Sequence, residues 1–222
     1  MTEIRLPESQ KVFVIGFHKT GTTSLAEALH LLNYKTVHGD ARKAAHGGTE
    51  GRLLLEEYIK KGNYRLPTFD LYDAFTDNPY FSIWKELVRM FPDARYILTV
   101  RDEKAWISSC IKYYKGRRVR PMREWMFGPH ADPSRDKEGK KAWLVAYRRH
   151  NSEIIEYFKS AGKDLLVIDI SRQGWQMLCE YLNKPVPSTP FPHRNKTEKS
   201  RYEAVKSMLP ISVRRKISTW FK

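Results

Sequence analysis

Short apolar runs alternate with longer amphipathic stretches along most of this 222-residue chain. The strand-like apolar runs lie near residues 12–16, 35–38, 72–76, 95–100 and 164–170. Segments with apolar residues at helical spacing lie near residues 23–33, 51–61, 80–91, 103–114, 141–160 and 172–183. Strands that alternate with helices form parallel sheets covered on both faces. The pattern therefore predicts an α/β fold in a single domain, with a central parallel sheet of about five strands flanked by helices.

Polar residues follow the ends of several predicted strands. In an open parallel sheet, ligands bind beyond the carboxyl ends of the strands. Residues 16–23, residues 38–40, Asp77 and Arg101 all follow strand ends, so we expect them to converge on one crevice. Residues 115–140 interrupt the alternation with six glycines and prolines. We interpret them as a mobile, basic segment over that crevice, with a disordered surface loop as the alternative.

The first predicted strand leads into a glycine-bracketed loop and then into a helix. Backbone N–H groups of such a loop, together with the helix dipole, form an anion site. Gly16 and Gly21 have the spacing of a nucleoside-triphosphate loop, but Thr22 stands where that loop has its lysine. The loop has one lysine, Lys19, which precedes the second glycine. The loop can therefore hold a phosphate but lacks the lysine that usually grips a β/γ-phosphate pair.

The run Lys-Thr-Gly-Thr-Thr-Ser at residues 19–24 resembles the 5′-phosphosulfate loop of sulfotransferases that use 3′-phosphoadenosine 5′-phosphosulfate. Members of that family have a P-loop-like three-layer fold. The resemblance implies that Lys19 contacts the bridging oxygen and the departing 5′-phosphate of the donor. Donor-binding candidates in the loop are His18, Lys19, Thr20, Gly21, Thr22, Thr23 and Ser24. We expect His18 to serve as steric lining.

Two further segments resemble the same family. Arg101 at a strand end and Ser109 eight residues later match the arginine and serine that bind the 3′-phosphate there. A guanidinium can grip phosphate oxygens bidentately, and a helical hydroxyl can close the other side. Residues 174–192 resemble the family's helix and proline-rich exit, and Arg194 and Lys196 follow where relatives carry an Arg-Lys-Gly segment. Arg194 and Lys196 are therefore candidates for the 3′-phosphate, with a solvated basic turn as the alternative.

Sulfuryl transfer to an alcohol needs a base for the hydroxyl proton, and it demands no metal. Cytosolic relatives place a histidine just after the strand that precedes a proline-started helix, and Asp77 occupies that position here. We predict Asp77 as the base, with His38 as the alternative because an imidazole is suited to proton transfer near neutral pH. Asp77 could instead cap the helix at Pro79. Candidates for contacts to the acceptor alone are Asp40, Asp70 and Asp73.

Composition and cysteine usage indicate the size class of the protein and the compartment in which we expect it. A hydrophobic content of 41% fits one domain with a sizeable core. The chain opens without a basic-then-apolar leader, and no apolar run approaches the ~18 residues that span a bilayer. Cys110 and Cys179 fall on predicted helices and are typical of buried thiols in a reducing compartment, and no histidine or cysteine cluster has zinc spacing. We therefore expect a cytoplasmic protein.

The net charge of +15 is concentrated in two segments. Residues 112–149 hold 12 lysines and arginines against 4 acidic residues, and residues 194–222 hold 9 against 2. A doubly phosphorylated donor accounts for part of this charge, and an acidic acceptor or an anionic membrane surface could account for the rest. We find no nucleic-acid reader motif and expect no nucleic-acid partner. Residues 201–222 form a basic amphipathic tail that either contacts a membrane peripherally or packs on the domain.

These observations lead to one functional interpretation and two alternatives. We interpret residues 1–200 as a sulfotransferase domain that moves a sulfuryl group to a hydroxyl acceptor, with adenosine 3′,5′-bisphosphate as the other product. A carbohydrate or lipid-linked sugar is the preferred acceptor, because the basic segments suit acidic glycans or a membrane face. The alternatives are a small P-loop nucleotide or sugar kinase and a non-catalytic nucleotide- or polyanion-binding module.

Overall fold

The computed structural model describes residues 10–39 and 59–193. The strands are β1 (Val12–Val14), β2 (Thr36–His38), β3 (Ala74–Thr76), β4 (Arg95–Thr99) and β5 (Leu166–Ile168). The helices within these residues are α1 (Thr22–Leu31), α2 (Trp84–Met90), α3 (Glu103–Tyr114), α4 (Pro121–Phe127), α5 (Lys137–Ser160) and α6 (Trp175–Leu182). Short 3₁₀ helices span Pro67–Asp70, Tyr80–Ile83 and Gly128–His130.

All five strands lie in one parallel sheet, in the order β2-β3-β1-β4-β5. Each strand falls within an apolar run that the sequence analysis identified, so the predicted α/β fold with a five-stranded parallel sheet is confirmed. β1 is central and its residues are completely buried, because strands flank it on both sides and helices cover both faces. This position explains why residues 12–15 form a continuous apolar run and do not alternate with polar residues.

The sheet separates two apolar layers. Phe13 and Phe75 face a cluster that α2 and α5 complete, where their rings stack with centroids 4.8 Å apart. Val12 and Val14 face the opposite cluster, where α1 and α6 supply leucines such as Leu25. Successive residues of β1 thus serve opposite layers, as the two-residue period of a strand requires. The result is a three-layer arrangement of helices, sheet and helices.

Two helices start four residues away from the predicted position. The segment predicted as a helix over 80–91 begins as the 3₁₀ helix, and α2 starts only at Trp84. In contrast, α5 starts at Lys137 and not at 141, because the Asp136 side chain accepts a hydrogen bond from the Gly139 N–H at 2.6 Å and caps the helix. An aspartate three residues before a helical N–H is a common start signal.

Residues 115–140 contain more regular structure than the interpretation as a mobile or disordered segment implies. Pro121 occupies the first turn of α4, where its missing N–H costs no hydrogen bond. Met122 and Phe127 are buried, and the Phe127 ring stacks on Trp143 of α5 with centroids 4.2 Å apart. This short helix is therefore fixed by aromatic packing between distant parts of the chain, which the local glycine and proline content does not reveal.

Several predictions fall outside the described residues. Asp40, most of the predicted helix at 51–61, Arg194, Lys196 and the tail at 201–222 belong to this group. The boundary at residue 200 and the role of the tail therefore stay predictions. Within the described ranges, the helices are all too short or too polar to cross a membrane.

The contact between β1 and β4 generates a stability prediction at Gly16. A Cβ at Gly16 would lie 2.6 Å from the backbone nitrogen of Thr99, and closer still to the Thr99 carbonyl oxygen and Oγ1. The clash is with backbone that cannot rotate away, so Gly16→Ala should destabilise the fold by roughly 3 kcal/mol in denaturant-induced unfolding.

Gly62→Ala is the matched control for this substitution. Gly62 has a positive φ of 69°, but among the described residues no atom lies within 4 Å of an added Cβ. It should cost about 1 kcal/mol, through backbone strain alone. Equal losses for the two variants would contradict the assignment of a tight β1–β4 contact.

Candidate functional site

The loop between β1 and α1 has the backbone geometry of an anion site. Lys19 and Gly21 both have left-handed φ angles, of 68° and 97°. Gly21 immediately precedes α1 as its N-cap residue and makes no side-chain cap hydrogen bond. Backbone N–H groups at a helix N-terminus point towards an anion bound there, and the dipole of this ten-residue helix favours one.

Hydrogen bonds from β4 and α3 fix the shape of this loop. The Thr20 hydroxyl donates to the Phe17 carbonyl and accepts from Thr99 Oγ1 at 2.6 Å. The indole Nε1 of Trp106 donates to the His18 carbonyl at 3.0 Å. Thr20 is therefore bound to protein groups at the base of the loop, and the loop is preorganised before any ligand arrives.

Arg101 joins the loop from the end of β4. Its Nη1 donates to the Lys19 carbonyl at 3.2 Å. Its backbone is held by Tyr147 of α5, whose hydroxyl accepts from the Arg101 N–H and donates to the Arg101 carbonyl, both at 2.9 Å. Ser109 lies half-buried in the second turn of α3, the helix that begins two residues after Arg101. The structure thus brings the two predicted phosphate-binding elements together at Arg101.

Two arginines, Arg101 and Arg117, place positive charge close to Lys19. Its Nζ lies 4.1 Å from the centroid of the Tyr113 ring, and Cζ of Arg117 lies 4.1 Å from the same centroid. Burial lowers the pKa of Lys19, and the positive charges of Arg101 and Arg117 act in the same direction. Sequence reasoning missed Arg117 and Tyr113, because Arg117 lies in the segment interpreted as irregular and no motif marks either residue. Together these residues form a concentrated positive field suited to phosphate.

The two candidate bases lie next to each other. His38 ends β2, Asp77 follows β3, and β2 and β3 are neighbours. His38 Nε2 is 3.8 Å from Asp77 Oδ2, and the two side chains are 31% and 21% exposed, which leaves both within reach of a substrate. Asp77 Oδ1 accepts from the N–H of Asn78 at 2.8 Å, whereas the 3₁₀ helix that follows has no side-chain cap. This geometry gives no support to the capping alternative.

His18 lies beneath the loop in an aromatic cage. It is only 3% exposed, and neither ring nitrogen has a hydrogen-bond partner among the described residues. The rings around it, with centroids 5.4–5.7 Å away, are Phe17, Phe81, Tyr114 and Trp143. Burial lowers the pKa of His18 to about 4, against an opposing effect of Asp77. His18 is therefore a neutral, space-filling ring near neutral pH, with the geometry expected of steric lining.

Arg123 is a buried cation close to this cage that the sequence analysis did not identify. It is 5% exposed, and its guanidinium lies 4.1 Å from the centroid of the Tyr114 ring. Nη2 donates to the Arg118 carbonyl at 2.7 Å and Nη1 to the Ala131 carbonyl at 3.3 Å. Arg123 therefore connects the two ends of the α4 region to α3, and its charge contributes to the lowered pKa of His18.

The two described aspartates predicted to contact the acceptor lie elsewhere. Asp70 forms an exposed ion pair with Arg65 at 2.6 Å. Asp73 precedes β3, and its Oδ2 accepts from the Lys35 N–H at 3.1 Å. Both lie at the amino end of β3, whereas Asp77 follows its carboxyl end, so the sheet itself separates them from the site. Among residues 10–39 and 59–193, no group of three or more His, Cys, Asp or Glu side chains could hold a metal ion.

Comparisons with known proteins agree with the loop and strand-end geometry. A sequence model described as "Sulfotransferase domain" matches residues 11–200. A protein of Aspergillus versicolor called "Ava biosynthesis cluster protein M" is 27% identical over 214 residues, which cover 82% of this chain and 80% of that protein. The family match spans β1 to β5 and includes the loop, Asp77 and Arg101.

The environment of His18 predicts an acid-sensitive fold. Because the pKa of the folded state is about 4 and the ordinary value is 6.5, the unfolded chain binds the proton first as the pH falls. Stability should be fully present above about pH 6.5 and decline towards pH 4, by roughly 3 kcal/mol for this group. His18→Phe keeps a ring in the cage and should flatten that decline, as measured by urea unfolding at several pH values.

The exposed His30→Gln variant serves as the control, since it leaves His18 intact and should retain the steep pH dependence. Parallel stability curves for the wild type and His18→Phe would show that His18 is not held neutral by burial.

Proposed function

Because the chain belongs to the sulfotransferase domain family, we propose that it transfers a sulfuryl group from 3′-phosphoadenosine 5′-phosphosulfate to a hydroxyl acceptor. The observation that carries the proposal is the position of Lys19. It precedes the second glycine of the loop, lies on left-handed backbone and has Arg101 bonded to its carbonyl. A cation in this place would lie beside a 5′-phosphate bound in the loop and could neutralise the charge that this phosphate gains as the leaving group.

Different groups of the chain bind the two phosphates of the donor. Backbone N–H groups of the loop and of the start of α1 bind the 5′-phosphate. Lys19 neutralises the charge that develops on this phosphate as the bond between sulfur and the bridging oxygen breaks, which stabilises the transition state more than the ground state. Arg101 and Ser109 hold the 3′-phosphate, and this second anchor distinguishes the donor from ATP.

Asp77 is the proposed base for the acceptor hydroxyl. Its carboxylate lies at the carboxyl edge of the sheet and interacts electrostatically with Lys19, His18 and Tyr114. The proton acceptor and the leaving-group cation therefore belong to one site, as in-line transfer requires.

The charge of the chain bears on the acceptor, because a concentrated positive field favours an acidic partner. We retain a carbohydrate or lipid-linked sugar as the preferred acceptor class, supported by the basic segments. The name of the fungal relative, a biosynthesis cluster protein, adds a biosynthetic product of another class as the second candidate.

Nucleotide binding provides the first test. Adenosine 3′,5′-bisphosphate should raise the melting temperature without magnesium, by an amount equivalent to ~2.7 kcal/mol at a hundredfold excess over its dissociation constant. ATP should stabilise less, because it lacks the 3′-phosphate that Arg101 and Ser109 bind. Turnover of radiolabelled phosphosulfate donor should then be measured against sugars, lipid-linked sugars, phenols and aliphatic alcohols.

The outcomes separate the functional classes. Equal or stronger stabilisation by Mg-ATP would favour a P-loop kinase. Tight bisphosphate binding without turnover of any acceptor would favour a non-catalytic binding module.

The two cations should respond differently to removal. Arg101→Ala should weaken bisphosphate binding by roughly 1.5–3 kcal/mol, the usual worth of hydrogen bonds to charged groups. Lys19→Ala should reduce the single-turnover rate more than the affinity, because its charge matters most as the leaving phosphate gains negative charge.

Isothermal titration and rapid-quench kinetics measure the two effects. Arg89→Ala, in the exposed last turn of α2, is the charge-matched control and should change neither quantity. If Lys19→Ala lowers the affinity but leaves the single-turnover rate unchanged, its assigned role is wrong.

A further inference from the structure

The hydrogen bonds of Thr76 favour one tautomer of His38. The Thr76 side chain is completely buried, and its hydroxyl lies 3.3 Å from the Val37 carbonyl and 2.7 Å from His38 Nδ1. A carbonyl oxygen can only accept, so both contacts are hydrogen bonds only when the single hydroxyl proton of Thr76 goes to Val37. The oxygen of Thr76 must then accept from His38, which places the imidazole proton on Nδ1. Nε2 therefore carries the lone pair.

That lone pair faces the site. Nε2 lies 3.1 Å from the Thr23 hydroxyl and 3.8 Å from Asp77 Oδ2. The separation from the carboxylate is about 1 Å longer than a charge-assisted hydrogen bond. An unprotonated Nε2 and an ionised carboxylate have no proton to share, so a gap is expected between them. One added proton would convert the gap into a short bond between imidazolium and carboxylate.

We infer that Asp77 and His38 act as a single proton-accepting unit, in which Asp77 receives the proton of the acceptor hydroxyl and His38 Nε2 then holds it. The inference rests on the proposed sulfuryl transfer. The acceptor oxygen forms a bond to sulfur, and the bond from sulfur to the bridging oxygen breaks with its electron pair going to the 5′-phosphate. The hydroxyl proton moves to the Asp77 carboxylate and on to Nε2, and it returns to water after the products leave.

Neighbouring charges suit this order of events. Asp77 Oδ1 is occupied by the Asn78 N–H, which leaves Oδ2 as the oxygen that faces His38. Among the described residues, Lys19, His18 and Tyr114 are titratable groups on other elements that interact electrostatically with Asp77. His18 is neutral and Lys19 is engaged with the leaving phosphate. His38 is therefore the group placed to take the proton from Asp77, and it acts as a positioning residue through that carboxylate.

Thr23 connects this unit to the phosphate loop. Its hydroxyl belongs to the first turn of α1 and carries one proton, which can go to Nε2 or to a phosphate oxygen but not to both. Binding of the donor phosphate would draw this proton away and free the lone pair of Nε2. The unit would then accept a proton only when the donor is in place, which couples proton transfer to donor binding.

The tautomer can be tested without any activity. Nitrogen-15 NMR of the full chain labelled at histidine, with His38 assigned through His38→Gln, should show a protonated Nδ1 and a bare Nε2. Adenosine 3′,5′-bisphosphate should shift the Nε2 resonance as Thr23 turns to the phosphate. Thr76→Val, which keeps the shape but removes the hydroxyl, should give a mixture of tautomers. A wild-type His38 protonated on Nε2, or a Thr76→Val spectrum identical to it, would overturn the inference.

Kinetics test the coupling itself. At saturating donor, Asp77→Asn should lower the single-turnover rate by ~10²–10⁴, the usual worth of a general base. His38→Gln should lower it less, and the double variant should match Asp77→Asn within about twofold, because His38 acts only through Asp77. All three should bind adenosine 3′,5′-bisphosphate like the wild type. His30→Gln, on the exposed side of α1, should retain the full rate.

The possible failures are distinguishable. Losses that multiply in the double variant, or a larger loss in His38→Gln than in Asp77→Asn, would show that the two residues do not form one unit. Absence of turnover by the wild type with every acceptor would contradict the proposed function, and the NMR result would still decide whether Thr76 and Thr23 control His38.

Discussion

The site depends on the close contact between β1 and β4 at Gly16 and Thr99. No Cβ fits at Gly16, so the backbones of the two strands approach more closely than a larger residue would allow. This approach puts Thr99 within hydrogen-bond distance of Thr20 and fixes the base of the phosphate loop. Arg101 lies only two residues beyond Thr99, so the same contact sets its reach to the Lys19 carbonyl. One steric constraint therefore positions both of the elements that are predicted to bind phosphate.

The order of the strands then determines which residues meet. β1 lies between β3 and β4, so the segments that follow all three strands converge at one edge of the sheet. β2 lies beyond β3, which brings His38 beside Asp77 although 39 positions separate them along the chain. The cations of the loop lie on one side of this edge and the candidate proton acceptors on the other. This division is what a transfer between an anionic donor and a hydroxyl acceptor needs.

Much of this arrangement could be predicted from the sequence, and the rest could not, for identifiable reasons. The five strands and the loop follow from apolar runs and glycine spacing, which are local signals. Asp77 and His38 appeared as competing candidates, because sequence spacing does not give the order of strands that makes them neighbours. Arg117, Tyr113 and Arg123 remained unnoticed, since their positions depend on packing among α3, α4 and α5. Asp70 and Asp73 were chosen as nearby acidic residues, but they lie at the wrong end of β3.

At two positions this chain differs from familiar motifs, and at each of them a nearby residue supplies the missing group. Thr22 stands where a triphosphate loop has its lysine, and the lysine of this loop lies three residues earlier, at Lys19. Lys19 has a left-handed backbone conformation, and its ammonium group lies over the ring of Tyr113. Asp77 stands where the sequence resemblance predicts the histidine of cytosolic sulfotransferases, and the imidazole of His38, at the end of the adjacent strand, lies 3.8 Å from its carboxylate. A carboxylate alone is a weak base near neutral pH, whereas a carboxylate that can pass its proton to an imidazole is not limited in this way. In the proposed mechanism, the hydrogen bonds that orient His38 therefore serve proton transfer as well as the fold.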